Sequence, residues 1–103
     1  MKIMSDDDLK IENNTFLRQY EFKTEKGLLT IEYQDQGRQL FLTKLNLPSK
    51  QISPETVEVF IAQVLETYRD SRIKVMPTSP EIAKFFKKYR QKYKDLLPAG
   101  ITI

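Results

Sequence analysis

The sequence contains no cysteine and no histidine. The first absence excludes a disulfide framework, a thiolate metal site and a cysteine nucleophile. The second removes imidazole, the commonest general base near neutral pH and the commonest zinc ligand, so histidine-based triads and zinc hydrolysis are excluded too. A base would have to be a carboxylate, a lysine, a tyrosine or a water. No apolar run approaches the roughly 18 residues that a membrane-spanning helix needs. The opening stretch carries Asp6, Asp7 and Asp8 in a row, where a secretory signal would be apolar. The expectation is a cytoplasmic protein with no membrane segment and no metal.

What is present describes one globular domain. A chain of 103 residues has room for one core, and buries roughly two-thirds of its unfolded surface. Six phenylalanines and five tyrosines are too many for a disordered segment. The formal charge is only +3, but it is uneven. Residues 81–94 carry Lys84, Lys87, Lys88, Arg90, Lys92 and Lys94 against Glu81 alone, a distribution that raises the question of an anionic partner.

Residues 1–14 are polar and read as a lead-in, with Ile3, Leu9 and Ile11 as the residues that would start a short strand. From Thr15 the period is two. Phe16, Tyr20 and Phe22 alternate with polar residues; then Leu29, Ile31 and Tyr33; then the segment 39–47, closed by Pro48. Turns at 25–27 and 35–38 join them into an antiparallel meander. Leu40, Leu42 and Lys44 share one face in this reading. The period then becomes helical. Val57, Phe60, Ile61, Val64, Leu65 and Tyr68 form one stripe, with Ser53 as N-cap and Pro54 in the first turn, predicting a helix over 54–70. A short strand ends at Pro77. Ser79 and Pro80 open a second helix with Ile82, Phe85, Phe86 and Tyr89 on its inner face, and the β-branched tail offers a last strand. The fold class expected is an α+β sandwich, an antiparallel meander followed by β-α-β-α.

Three stretches, "GLLTIEY", "LFLTKLNLP" and "VLETYRDSRIKVMPTSPEIAKFFKKYRQKYKDLL", resemble the corresponding segments of the small single-domain members of the GNAT superfamily of N-acetyltransferases. The resemblance spans about Thr15 to Leu97 and is most specific in the Pro-x-Cys-Pro-like turn and the Tyr-x-Asp-Leu-Leu ending. It implies an acetyl-CoA-binding fold that passes an acetyl group to an amine, whose identity the sequence does not give. The family's loop carries Arg-Gly-x-Gly, whose N–H groups bind the cofactor diphosphate at a helix N-terminus. The matching positions here are Ile52, Ser53, Pro54 and Glu55. Pro54 has no N–H to donate. A Glu55 carboxylate about 4 Å from a phosphate would meet a repulsion of about 4 kcal/mol at an effective dielectric of 20. The family's strand histidine aligns with Lys44, and its turn cysteine with Ser79.

The candidate cofactor-binding residues implied are Leu45, Leu47, Lys50, Ser53, Glu55, Thr56, Lys84 and Lys88. The candidate catalytic residues are Ser79, at the cysteine position, and Glu32, a carboxylate on a strand. Each has a plainer role: Ser79 as the cap of the second helix, Glu32 as an exposed strand residue, Lys44 as a solvated lysine. Tyr89 and Tyr93 are phenols of the kind that protonates a departing thiolate, or else core residues. The basic run is a solvated helix face, a site for the cofactor's 3′-phosphate, or a weak nucleic-acid surface. Two functions stay open: an acetyl-CoA-dependent N-acetyltransferase, and a non-catalytic binding or interaction module on the same fold, with a homodimer as one possibility.

Overall fold

The period-two segments pair in sequence order. The structure, a computed structural model, describes residues 11–101. Five strands, β1 (Ile11–Asn14), β2 (Gln19–Thr24), β3 (Gly27–Asp35), β4 (Gln39–Asn46) and β5 (Lys74–Pro77), form one sheet in the order β1-β2-β3-β4-β5. The first four are antiparallel neighbours, whereas β4 and β5 are parallel. A parallel pair needs a crossover. Helix α1 (Pro54–Glu66) supplies it, and α2 (Pro80–Lys88) and α3 (Arg90–Tyr93) follow β5, with a 3₁₀ turn at Lys94–Leu96. The α+β class and the meander are as expected. The sheet is mixed, with one strand more at its start.

That extra strand is β1. Ile11–Asn14 belong to the sheet, not to a lead-in; Ile3 and Leu9 lie outside the described residues. Asn14 Nδ2 donates to Glu21 Oε2 on β2 (3.0 Å), and its Oδ1 accepts the Leu17 N–H (3.0 Å), so one amide side chain fixes both the pairing and the turn. Arg18, at φ 54°, takes the left-handed conformation the turn requires. The second strand consequently begins at Gln19. Phe16 does not alternate with Tyr20 and Phe22 on a strand face but sits in the turn, 92% exposed.

Gly27 opens β3 at φ 125°. A Cβ there would stand 2.6 Å from Pro48 Cβ, so the absent side chain lets the β2–β3 turn abut the end of β4. Further along β4 the register shifts opposite Glu32 and Tyr33: Glu32 pairs with Lys44 and Tyr33 with Leu42, leaving Thr43 as the extra residue of a β-bulge. The bulge flips the alternation. Leu42 and Leu45 both enter the core, and Lys44 is exposed on the opposite face, which corrects the expectation that Lys44 continues the Leu40–Leu42 row.

The core lies on one face of the sheet. Tyr20, Phe22, Leu29, Ile31, Leu40, Leu42 and Val75 meet Phe60, Ile61, Val64 and Leu65 of α1 and Ile82, Phe85 and Phe86 of α2 in one cluster. Fully burying each large apolar side chain contributes about 1.5–3 kcal/mol. Both helices start as the sequence predicts. The Ser53 Oγ accepts from the Thr56 N–H (3.2 Å), the Ser79 Oγ from the Ile82 N–H (3.5 Å), and a proline follows each cap. The ends differ. α1 stops at Glu66, four residues early, as i→i+3 bonds from the Tyr68 and Arg69 N–H groups tighten the chain and carry the Tyr68 hydroxyl to the Tyr20 hydroxyl. α2 breaks at Tyr89 (φ −115°, ψ 39°). After the break, the buried Tyr93 packs tilted against Phe85 and edge-on against Phe86, with centroids at 5.4 and 6.2 Å. Through Ile101 the described tail forms no further strand.

Candidate functional site

β4 and β5 stay paired only over four residues, from Gln39 with Lys74 to Leu42 with Pro77. There the Leu42 carbonyl accepts the Thr78 N–H (3.1 Å), the Ser79 N–H (2.9 Å) and the Thr78 hydroxyl (3.0 Å). These three bonds turn the chain out of the sheet and into α2. β4 continues to Asn46 without β5 beside it. The parting opens a cleft of about 310 Å³ between the end of β4, the start of α1 and the side of α2. Its wall is apolar, from Leu45, Leu47, Ile52, Pro54, Val57, Ile61 and Phe85, and its rim carries Glu58, Glu81, Lys84 and Lys88.

Glu58 bridges α1 to α2 at that rim. Its Oε2 accepts from Lys88 Nζ at 2.7 Å and its Oε1 from the Tyr89 hydroxyl at 2.6 Å. The Lys88 contact first, and then the Tyr89 bond, hold its carboxyl below the ordinary carboxylate value, while Glu58 in turn raises the Lys88 ammonium. Beyond the bridge a second hollow of about 280 Å³ runs on between α1 and α2–α3, walled by Glu55, Glu58, Phe85, Tyr89 and Tyr93. A larger hollow of about 630 Å³ lies near the β2–β3 turn and the start of α1, lined by Phe22, Lys23, Lys26, Ser53 and Thr56 among others.

The structure separates the sequence-predicted residues into groups. Leu45, Leu47, Lys84 and Lys88 come together at the β4–α2 cleft. Ser53 and Thr56 line the hollow near the β2–β3 turn, and their hydroxyls bond each other at 2.8 Å. Glu55 lines the hollow between the helices. Lys50 is exposed in the loop. Ser79 is fully buried; besides capping α2, its hydroxyl donates to Glu81 Oε1 at 3.0 Å. Glu32 lies on the sheet face away from the helices. There Asn46 Nδ2 donates to it at 2.7 Å and to Thr30 Oγ1 at 2.9 Å, and Lys44 stands opposite on β4.

Sequence reasoning missed Glu58, Ile61 and Phe85 as cleft residues. Ile61 and Phe85 were legible only as helix-stripe positions. Glu58, beside Val57 at the edge of its stripe, gives no local signal, because its partners lie 30 and 31 residues away. Among the described residues no group of three or more acidic side chains could hold a metal ion, and no helix is long and apolar enough to cross a membrane. Compared with protein-family models and with curated proteins, the sequence matches none.

Proposed function

We propose that this protein is a GNAT-like protein whose β4–α2 cleft takes the acylated pantetheine arm of a thioester donor and serves transfer of the acyl group to an amine. The observation that carries this reading is the parting of the parallel β4–β5 pair beyond Leu42 and Pro77, with an apolar cleft at the gap. A pantetheine arm is an extended chain of amides and methylenes. A strand flank with no neighbour offers peptide groups to its amides, and Leu45, Leu47, Ile61 and Phe85 offer apolar contact to the rest. The sequence resemblance in the segments 27–33, 40–48 and 64–97 supports the same assignment.

Acetyl-CoA is the donor the resemblance implies, and it would supply the activated acetyl group. The residues present fit its arm and not its diphosphate. At the start of α1, Pro54 lacks an N–H, the Thr56 N–H is bonded to Ser53 Oγ, the Val57 N–H to the Ser53 carbonyl, and Glu55 adds a negative charge. Of the candidate catalytic groups, Ser79 is buried and Glu32 is on the other sheet face. The rim carboxylates Glu58 and Glu81 already accept hydrogen bonds. These placements favour a second reading, a binding module on the same fold that holds a thioester or a partner without turning it over.

Calorimetric titration with acetyl-pantetheine and acetyl-CoA tests the first reading. Acetyl-pantetheine is expected to bind, and Leu47→Asp, at a position 45% exposed and so cheap for folding, to weaken it tenfold or more. No heat from either compound at millimolar concentration would overturn it. Turnover of acetyl groups onto any member of an amine panel would remove the module reading.

A further inference from the structure

The mismatch between a cleft that suits the arm and a helix start that repels the diphosphate has a chemical resolution. Acylated pantetheine comes in two forms. As a coenzyme it carries a diphosphate and a 3′-phosphate on a nucleoside. As a prosthetic group it hangs by one phosphodiester from an acidic carrier protein. The first needs a backbone cradle of N–H groups; the second needs a cationic surface beside the arm's entrance.

We propose that the donor is an acidic protein presenting its thioester on a phosphopantetheine arm, docked on the cationic face of α2–α3; this deepens the reading above and rests on it. Three observations converge. The cleft, at about 310 Å³, is at the low end of the roughly 300–1,000 Å³ usual for ligand sites, a size that suits the arm by itself. Its rim carries Lys84 and Lys88 beside Glu58 and Glu81; Glu58 holds Lys88 and Glu81 accepts from Ser79, so Lys84 is the rim ammonium that a single phosphodiester at the entrance would meet. From Ile82 through Lys94 there are six basic residues and no acidic one. With 17 basic and 14 acidic residues in all, the rest of the chain is net acidic, so the positive charge is concentrated in the segment that supplies Lys84 and Lys88 to the cleft rim. Lys84, Lys87 and Lys94 are exposed, and long solvated lysines steer an acidic partner at low cost in specificity. The inner residues Phe85, Phe86 and Tyr93 are buried, and the half-buried Tyr89 is tied to Glu58 through its hydroxyl, leaving the face without a freely exposed ring to stack on bases, which argues against a single-stranded nucleic acid.

The test compares four probes on the whole chain by calorimetry at low and at physiological salt: acetyl-pantetheine, acetyl-CoA, an acidic carrier protein with an acetylated arm, and the same carrier without its arm. The acetylated carrier is expected to bind at least tenfold more tightly than acetyl-CoA, and more tightly than the armless carrier, with affinity falling as salt rises. Lys87→Glu with Lys94→Glu, two positions outside the cleft lining, should weaken the carrier about tenfold and leave acetyl-pantetheine unchanged. If acetyl-CoA binds as tightly as the carrier, or armed and armless carriers bind alike, the proposal is overturned and the cleft reading stands. If acetyl-pantetheine fails to bind, the cleft reading itself falls and the proposal with it.

Discussion

Leu42 and Leu45 point to the same side of β4 although they stand an odd three positions apart, because Thr43 is the extra residue of a bulge. An unbroken strand would have put Leu45 in water and Lys44 in the core. The bulge lies just past Leu42, where β4 parts from β5, so the cleft wall and the core share one backbone irregularity.

The bulge predicts unequal costs at neighbouring positions. Leu45→Ala should destabilise by about 2–4 kcal/mol, as expected for a buried leucine. Lys44→Ala should stay within about 0.5 kcal/mol. Denaturant unfolding of both variants checks this; equal costs would mean that the strand alternates without interruption.

Gly27→Ala should destabilise by roughly 1–3 kcal/mol. The backbone at φ 125° resists a side chain, and the new Cβ would meet Pro48 Cβ at 2.6 Å and Cγ at 2.9 Å. The thermal midpoint is the measurement, with a shift of about 4–8 °C per kcal/mol for a domain of this size.

Ser79→Ala removes the cap of α2 and should cost about 1–2 kcal/mol. Acetyl-pantetheine binding should not change, because the buried hydroxyl faces Glu81 and the helix backbone. A loss of binding without a loss of stability would give Ser79 a direct role in the cleft.

The Glu58 bridge makes stability depend on pH in acid. Its carboxyl lies below the ordinary 4.5 in the folded chain, chiefly through Lys88 and then Tyr89. The folded state therefore binds fewer protons at this site than the unfolded one. The contribution is fully present above the unfolded value and is lost as pH falls through the lowered folded value. The pair is partly exposed, Lys88 by 61% and Glu58 by 32%, so solvent screening keeps the effect small. Glu58→Gln should flatten the decline of the melting midpoint below about pH 4.5; an unchanged slope would show that the bridge does not form in solution.

Local chemistry already wrote much of this fold. Alternation set β2, β3 and β4 as far as Leu42. The Ser-Pro pairs set both helix starts, through a cap and a pre-formed φ. The stripe from Val57 to Leu65 set the inner face of α1. Each of these rests on interactions within a few residues, which is why they could be read from the chain. Phe16 misled because an aromatic at alternating spacing looks like a strand residue until Asn14 and Arg18 are seen to make the turn.

Only the tertiary structure decided the site. The bulge at Thr43 depends on how β3 meets β4. The parting of β4 and β5 depends on three hydrogen bonds to one carbonyl, made from 36 residues away or more. The Glu58 bridge joins two helices that no local pattern brings together. The sequence alone settled what chemistry is missing, imidazole, thiol and a glycine cradle, because composition and motif need no coordinates. Where the remaining charges and apolar walls meet was settled by packing, since a side chain's neighbours in space are fixed by the whole chain and not by its neighbours in sequence.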